Sequence, residues 1–297
     1  MNFILRPLFN RPEMLDLSIK YEILARRYFD IDDLFTFFAV DCGAPKKCFD
    51  IISEYPFEHS VLMRSTRHNP GANILEGINT AAEMSEESNG EYVINLEDDC
   101  ILHKTYFEFI HKATKLLEGV DYSAITSWGL SSQGDPTKLK KGSYFCGPGS
   151  LISIDFFNKY IQPAVRPDYY RNFKPSIAAV NERNKNNPNA KYTYNNFTHL
   201  DWDGLTNRLV DVALFEEGLC SYSSLCYRLL HIGFYGYNRR HGRGWPKDLT
   251  TFEARRNYLE QRIFDPNKLA ELDGHYSDYS VFDPRLDAWD GGLSIDA

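Results

Sequence analysis

The sequence predicts an α/β fold in which a parallel sheet is covered by helices. Over the first 120 residues, a short apolar run, a polar turn and a longer segment of helical period follow one another repeatedly. The apolar runs are nearly continuous, which is typical of strands buried on both faces. With 297 residues, of which 43% are hydrophobic, the chain can build a large core. These observations exclude a protein whose main state is disordered.

The first two units of this pattern occupy residues 3–53. An apolar strand over residues 3–9 precedes a turn that places Pro12 at the first position of a helix. A second strand over residues 34–40 ends at Asp41, before a short helix over residues 46–53. The first helix carries an apolar stripe with alternating spacings of three and four: Met14, Leu17, Tyr21, Leu24 and Tyr28.

The next units lead to an acidic triplet. A strand over residues 61–63 is followed by a helix through residues 74–82, and a strand over residues 92–96 then runs directly into Glu97, Asp98 and Asp99. Another helix follows over residues 106–117. The triplet therefore stands at the carboxyl end of a strand, where open α/β sheets place their ligands.

The pattern becomes less regular after residue 128. Residues 129–143 are rich in Gly, Ser and Lys and predict a loop, and a strand over residues 144–154 precedes Asp155 as a helix cap. Residues 163–200 predict a long loop, followed by a helix over residues 203–217 and a strand over residues 219–227. We divide the chain into residues 1–120, residues 121–270 and an acidic tail over residues 271–297 that frays toward its end.

Charge and cysteine content set further limits. The chain has 33 Lys and Arg against 41 Asp and Glu, a net charge of −8, which disfavours a surface that binds nucleic acid by charge alone. Seven of the acids and one of the bases lie in the tail. The six cysteines match no zinc pattern and predict reduced thiols. No run of about 18 apolar residues and no signal peptide is present, so we expect a soluble, cytoplasmic chain.

The acidic triplet predicts a metal site. Three adjacent carboxylates repel one another unless a cation lies between them. Hard oxygen ligands of this kind suit Mg²⁺ or Mn²⁺, which take their remaining ligands from water and from substrate phosphates. The alternative is an acidic start of the following helix, which the helix dipole would favour.

Other polar residues are candidates for the same site. Asp41 ends a strand and can accept hydrogen bonds from a nucleotide, or it can cap a helix. Asp201 and Asp203 flank Trp202 before a helix, where one carboxylate can act as a general base. His231 is a candidate metal or phosphate ligand, although a lone histidine is often a structural residue. A cationic segment able to hold a diphosphate contains Arg239, Arg240 and Arg243.

Four segments in this order resemble a known family. They are Asp41-Cys42-Gly43, Leu96-Glu97-Asp98-Asp99-Cys100-Ile101, Ser127-Trp128, and Trp202-Asp203 followed by a His-Gly-aromatic segment. Together they resemble the inverting glycosyltransferases of the GT-A fold, most nearly the N-acetylglucosaminyltransferase I group. The resemblance implies a Rossmann-like mixed sheet flanked by helices. It implies a nucleotide-sugar-binding half over residues 1–120 and a loop-rich, acceptor-binding half over residues 121–270.

The resemblance also implies roles for individual residues. Asp41 would contact uracil, Asp99 would bind Mn²⁺ or Mg²⁺ directly, and Asp203 would be the general base, with Asp201 as the alternative. His231 is assigned to the metal as well. The nucleotide-sugar donor, a UDP-sugar, would be bound by Arg6, Pro7, Asn10, Arg11, Asp41, Glu97, Asp98, Arg239, Arg240 and Arg243. The membrane anchor and stem of that family have no counterpart here, which favours a bacterial or viral relative.

Two other functions stay open at this stage. A sugar-phosphate nucleotidylyltransferase would share the fold and the acidic site, but its glycine-rich first loop is missing around Asn10 and Arg11. A non-catalytic module that binds carbohydrate or nucleotide is the second alternative. The acceptor stays open between a glycan, a lipid-linked sugar, a protein and a hydroxymethylated DNA base, and the last would need a basic channel. The candidates for such a channel are Lys138, Lys140 and Lys141, residues 174–191 and residues 239–247.

Overall fold

The computed structural model describes residues 1–31, 33–66, 70–128, 134–142, 145–165, 178–180, 182–187, 205–233, 245–265 and 282–296. The strands of this part of the chain are β1 (Asn2–Leu8), β2 (Leu34–Val40), β3 (His59–Met63), β4 (Tyr92–Asn95), β5 (Cys100–Leu102), β6 (Ala124–Thr126), β7 (Lys138–Gly142), β8 (Ser150–Ser153), β9 (Ser221–Ser224), β10 (Leu229–His231) and β11 (Ser294–Asp296). The helices are α1 (Pro12–Phe29), α2 (Lys46–Ser53), α3 (Pro70–Ser88), α4 (Tyr106–Leu116), α5 (Ile154–Phe156), α6 (Leu205–Glu217) and α7 (Phe252–Glu260).

Nine of these strands form one mixed sheet in the order β11-β7-β9-β6-β8-β4-β1-β2-β3. Strands β1, β2, β3, β4, β6 and β9 run in one direction, and β7, β8 and β11 run in the other. Strands β5 and β10 form a separate antiparallel pair. Helices α3 and α6 cover one face of the large sheet, and α1, α2 and α4 cover the other. The predicted α/β fold, a mostly parallel central sheet flanked by helices, is confirmed.

Strand β1 is paired on both sides, with β2 and β4, and most of its side chains are apolar. Phe3 and Leu5 join the core under α3, whereas Ile4 packs on the opposite face. Helix α3 approaches so closely that a Cβ atom at Gly77 would lie 2.3 Å from Cδ1 of Leu5. Pro7 is tolerated because its missing N–H would point toward β4, where pairing along β1 ends at Leu5.

Helix α1 differs from the predicted apolar stripe. Leu24 and Tyr28 are 49% and 50% exposed, so that part of the prediction is wrong. The buried face instead includes the charged residues Glu22 and Arg26, and Glu22 pairs both with Arg26 and with the buried Arg6 of β1. The 3.6-residue period of the apolar residues predicts the helix correctly. On its buried face, however, the ion pairs of Glu22 take the place of the apolar contacts that the stripe predicts.

The second half of the chain requires three corrections. The loop predicted over residues 129–143 contains strand β7, which pairs with β9. The helix after β8 is capped by the side chain of Ser153, not by Asp155, which lies inside α5. Residues 282–296 do not form a frayed tail, because β11 pairs with β7 at the sheet edge and Trp289 is buried. The domain boundaries at residues 120 and 270 stay predictions.

Helix α7, which the sequence analysis did not identify, packs on α1. Its Arg255 and Arg256 form ion pairs with Glu13 and Asp16 of α1, at 3.3 Å and 2.9 Å. The six cysteines are free thiols, as expected. No helix in the described part of the chain is long and apolar enough to cross a membrane.

Candidate functional site

The acidic triplet forms a turn at the carboxyl edge of the sheet. Beyond β4, the backbone N–H of Leu96 still donates to the carbonyl of Leu5 at 2.8 Å, so the triplet begins beside the end of β1. The backbone N–H of Cys100 donates to the carbonyl of Glu97 at 3.1 Å and closes a tight turn. Strand β5 starts immediately afterwards. The predicted position of the triplet, at a strand end within the α/β sheet, is confirmed.

Strand β10 brings His231 to this turn. In the antiparallel pair of β5 and β10, Cys100 lies opposite His231, and the backbone N–H of Ile232 donates to the carbonyl of Asp99 at 2.8 Å. Nε2 of His231 lies 3.1 Å from Oδ1 of Asp99. The ring of Trp128 lies against the imidazole, with 5.3 Å between their centroids. Two residues assigned to the metal from the sequence, Asp99 and His231, are therefore in contact.

Three side chains at this turn could hold a metal ion together. Glu97, Asp99 and His231 each offer one ligand atom, and these atoms lie within 4.8 Å of one another. Asp99 is buried, whereas the other two are half-buried, so the group opens to solvent on one side. Two carboxylate oxygens and an imidazole nitrogen fit the ligand preferences of Mn²⁺ and, less closely, of Mg²⁺. The identity of an ion at this site stays a prediction.

Arg11, at the start of α1, neutralises part of the acidic turn. Its guanidinium donates to both carboxylate oxygens of Asp98, one of them at 3.2 Å, and to Oδ2 of Asp99 at 2.6 Å. Burial raises the pKa of Asp98 above its ordinary value, Arg11 opposes this and the neighbouring Asp99 adds to it. Burial would lower the pKa of Arg11, but the two carboxylates raise it. The guanidinium of Arg11 thus spans two of the three acids of the triplet.

The other predicted donor-binding residues lie in different environments. Asp41 is buried at the carboxyl end of β2, and its Oδ1 accepts a hydrogen bond from the backbone N–H of Cys42 at 2.8 Å. Asn10 is exposed in the turn before α1. Arg6 and Pro7 lie inside the sheet, and the guanidinium of Arg6 is fully buried. Their assignment to the nucleotide-sugar stays a prediction, and for Arg6 it would require a ligand to reach the core.

The remaining predicted residues lie outside the described part of the chain. They are Asp201, Asp203, Arg239, Arg240 and Arg243. Helix α6 begins at Leu205, close to the expected start of the helix after Asp203. The residues on either side of the cationic segment are described: Ile232 follows β10, and Trp245 packs in the same apolar cluster, near Met14.

Asn95 belongs to the site but was missed by the sequence analysis. Its amide nitrogen donates to the carbonyl of Gly147 at 3.3 Å and lies 3.4 Å from Oε1 of Glu97. Asn95 is only 2% exposed and stands between the core residues Ile94 and Leu96 at the end of β4. An asparagine in an otherwise apolar, buried strand was the available signal, because a buried amide needs hydrogen-bond partners.

Comparisons with known proteins leave the function open. No protein-family model and no curated protein matches the sequence. Among solved structures, residues 1–349 of TarS from S. aureus, a glycosyltransferase, match 61% of this chain at 12% identity with a TM-score of 0.40. The matched part covers 54% of that protein, so this chain spans about half of its length.

Two further structures match at similar levels. A cytidylyltransferase from Leptospira borgpetersenii serovar Hardjo-bovis covers 61% of the chain at 10% identity, with a TM-score of 0.35 and 72% of its own length. A197 from STIV covers 78% of the chain at 11% identity, with a TM-score of 0.34 and 86% of its own length. Likenesses this remote carry no argument about activity. None of the three is described as an N-acetylglucosaminyltransferase, so that narrower resemblance stays a prediction.

Proposed function

We propose that the protein is a metal-dependent inverting glycosyltransferase that moves a sugar from a nucleotide-sugar, a UDP-sugar, to an acceptor hydroxyl. The observation that carries the proposal is the convergence of Glu97, Asp99 and His231 at the carboxyl edge of the sheet. Two hard carboxylates and an imidazole at this edge are suited to a divalent ion that bridges a diphosphate. A cytoplasmic location is part of the same proposal.

The residues around this group have separate roles in donor binding. Glu97, Asp99 and His231 would hold Mn²⁺ or Mg²⁺, which when bound supplies positive charge against the charge growing on the diphosphate leaving group. We assign Asp41, at the carboxyl end of β2, to the base, from which its carboxylate would accept hydrogen bonds. Arg11 presents a planar fork of donors next to Asp98 and can orient ribose or phosphate oxygens.

Transfer requires a base for the acceptor. In the proposed step, the acceptor oxygen bonds to the anomeric carbon while the bond from that carbon to the diphosphate oxygen breaks, which inverts the configuration. The hydroxyl proton passes to a carboxylate, which we assign to Asp203, with Asp201 as the alternative. Both precede α6, whose described part begins at Leu205.

A screen of nucleotide-sugars tests the proposal. Purified protein with Mn²⁺ should show a rise in melting temperature with one UDP-sugar, and slow release of UDP, because a ligand that binds only the folded state stabilises it. EDTA should abolish the effect and Mn²⁺ should restore it. Asp99→Asn should lose both, whereas Asp16→Asn, an acidic residue of α1 outside the site, should retain both. Full activity in EDTA would contradict the metal assignment.

The same assay distinguishes the alternatives. Release of pyrophosphate from a nucleoside triphosphate would indicate a nucleotidylyltransferase, and nucleotide-sugar binding without turnover would indicate a binding module. Asp203→Asn should lower transfer by about 10²- to 10⁴-fold with nearly unchanged donor binding. Normal transfer by that variant would move the base to Asp201. Glycans and DNA that contains hydroxymethylated bases are the acceptors to compare, since Lys140 and Lys141 of β7 are exposed.

A further inference from the structure

The acidic turn is held from inside the protein by a buried chain of hydrogen bonds. The hydroxyl of Ser18, in α1, donates to the carbonyl oxygen of Cys100 at 2.6 Å. The guanidinium of Arg6 donates to the same hydroxyl oxygen through Nη1 at 3.2 Å and Nη2 at 3.1 Å. Arg6, Ser18 and Cys100 are each fully buried. The chain therefore links the core of the sheet to the residue that follows Asp99.

The direction of this chain is determined by donor and acceptor chemistry. A serine hydroxyl has one proton to donate and two lone pairs to accept with. Arg6 can only donate, so its two N–H groups occupy the lone pairs of Ser18 and direct the hydroxyl proton toward Cys100. Arg6 is in turn fixed by Glu22, whose Oε2 accepts from its Nε at 2.6 Å. The hydroxyl proton of Ser18 is therefore donated to the backbone of the turn.

The backbone next to Asp99 is held on two sides. The carbonyl of Asp99 accepts from Ile232 of the β10 segment, and the next carbonyl, that of Cys100, accepts from Ser18 of α1. With both carbonyls fixed, the Cα–Cβ direction of Asp99 has little freedom, and its carboxylate stays within reach of His231. Groups that orient metal ligands in this way affect metal affinity without touching the ion.

We propose that Ser18 is a positioning residue for Asp99, and that the buried Arg6 holds it in that role. The proposal rests on the proposed metal site. Loss of the hydroxyl would let the turn relax, so that Asp99 and His231 would no longer be preorganised. The expected effect is a loss of Mn²⁺ affinity of about 10-fold, the low end of the range for outer hydrogen-bond partners of metal ligands, because Ser18 bonds to the residue after Asp99 and not to Asp99 itself.

The chain offers a matched control in α3. Ser85 is also a buried serine in a helix, and its hydroxyl donates to a backbone carbonyl, that of Ala82, at the same distance of 2.6 Å. It lies away from the acidic turn. Ser18→Ala and Ser85→Ala therefore remove the same group from a buried helix position, and only the first should change metal binding.

The test measures Mn²⁺ dissociation constants from the electron paramagnetic resonance signal of free Mn²⁺, with melting temperatures alongside. We expect a lower melting temperature for both variants, with the larger decrease for Ser18→Ala because it also removes the acceptor of two N–H groups of the buried Arg6, and weaker Mn²⁺ binding only for Ser18→Ala. Binding by Ser18→Ala within about twofold of the unchanged protein would overturn the role of Ser18. Should that variant fail to fold, Ser18→Cys keeps the volume with a poorer donor, and the same two outcomes apply to it. Absence of Mn²⁺ binding by the unchanged protein would instead overturn the proposed metal site.

Discussion

Two clusters, each containing both positive and negative side chains, lie beside α1, and they differ in their exposure to solvent. The closed cluster consists of Arg6, Glu22, Arg26 and Tyr55 and lies entirely inside the protein. The open cluster consists of Arg11, the acidic turn and His231, and it reaches solvent at the sheet edge. Both pair arginine with carboxylates, so composition alone does not distinguish them.

The two clusters also differ in their ratio of positive to negative groups. In the closed cluster, one carboxylate, that of Glu22, accepts from Arg6 and from the Tyr55 hydroxyl, with Arg26 at 3.8 Å. Burial, together with the charge of Glu22, raises the pKa of Tyr55, so the phenol remains a donor. In the open cluster, three carboxylates face the single guanidinium of Arg11. In the closed cluster the single carboxylate is therefore fully occupied by groups of the protein, whereas the open cluster retains negative charge that can accept a further cation.

Removing the carboxylate of the closed cluster should have the largest effect on stability. Glu22→Ala leaves two buried guanidinium groups without a counter-ion, and we expect a loss of about 3–5 kcal/mol in the free energy of unfolding. Urea denaturation measures this loss. A decrease below about 1 kcal/mol would mean that water or the neighbouring hydroxyl groups compensate, and that the cluster is not closed.

The buried carboxyl group of Asp211 provides a test by pH. The pH dependence of stability shows whether burial without a counter-ion keeps a carboxyl group protonated. Asp211 of α6 is 1% exposed, and no cation in the described part of the chain forms an ion pair with it. Burial raises its pKa to about 8, against the opposing effect of the Phe145 backbone N–H. Between about pH 4 and pH 8 the folded state retains a proton that the unfolded state has lost. The contribution of Asp211 to stability therefore falls as pH rises through this window.

The expected slope is at most about 1.4 kcal/mol per pH unit, and Asp211→Asn should remove it. Urea denaturation at pH 5.5 and pH 7.5 measures the difference for both proteins. Equal pH dependence in the two would show that Asp211 is ionised in the folded state and has found a partner.

Removing a charge from the open cluster should alter Mn²⁺ binding more than the free energy of unfolding without metal. At Mn²⁺ concentrations about 100 times the dissociation constant, the unchanged protein should gain about 2.7 kcal/mol. Asp99→Asn should lose this gain, whereas without metal its stability should change less, because relief of repulsion within the acidic turn offsets the lost ion pair with Arg11. Thermal unfolding with and without Mn²⁺ measures both effects. An intact gain in Asp99→Asn would place the ion elsewhere.

The exposed face of α1 belongs to neither cluster, and a substitution there should have the smallest effect on the free energy of unfolding. Leu24 is 49% exposed, so Leu24→Gln should change the free energy of unfolding by no more than about 0.5 kcal/mol. Leu17, on the buried face of the same helix, should cost about 2–5 kcal/mol when changed to Ala. A large effect at Leu24 would indicate that a partner molecule or an undescribed segment covers this face.

Much of the fold could be predicted because its signals are local. The bounds of β2 and α2 agree with the expectation from the sequence, since an apolar run, a turn and a helical period are readable within a few residues. Strand β7 escaped prediction because its lysines and glycine are not typical of strands, and it is stabilised by pairing with β9 and β11. The sequence assigns Arg6 to a ligand, because nothing in its neighbours along the chain reveals Glu22 or Ser18.

The sequence by itself determined the alternation of strands and helices and placed three acids at the end of a strand, because periodicity and turn chemistry act over short distances. Only the tertiary structure decided which charged side chains are enclosed in the core and which remain accessible to solvent. Pairing of β5 with β10 brings His231 to Asp99, and packing of α1 on the sheet buries Arg6 against Glu22. Contacts between residues distant in the chain determine burial, and burial determines whether a carboxylate supports the fold or remains available to a ligand.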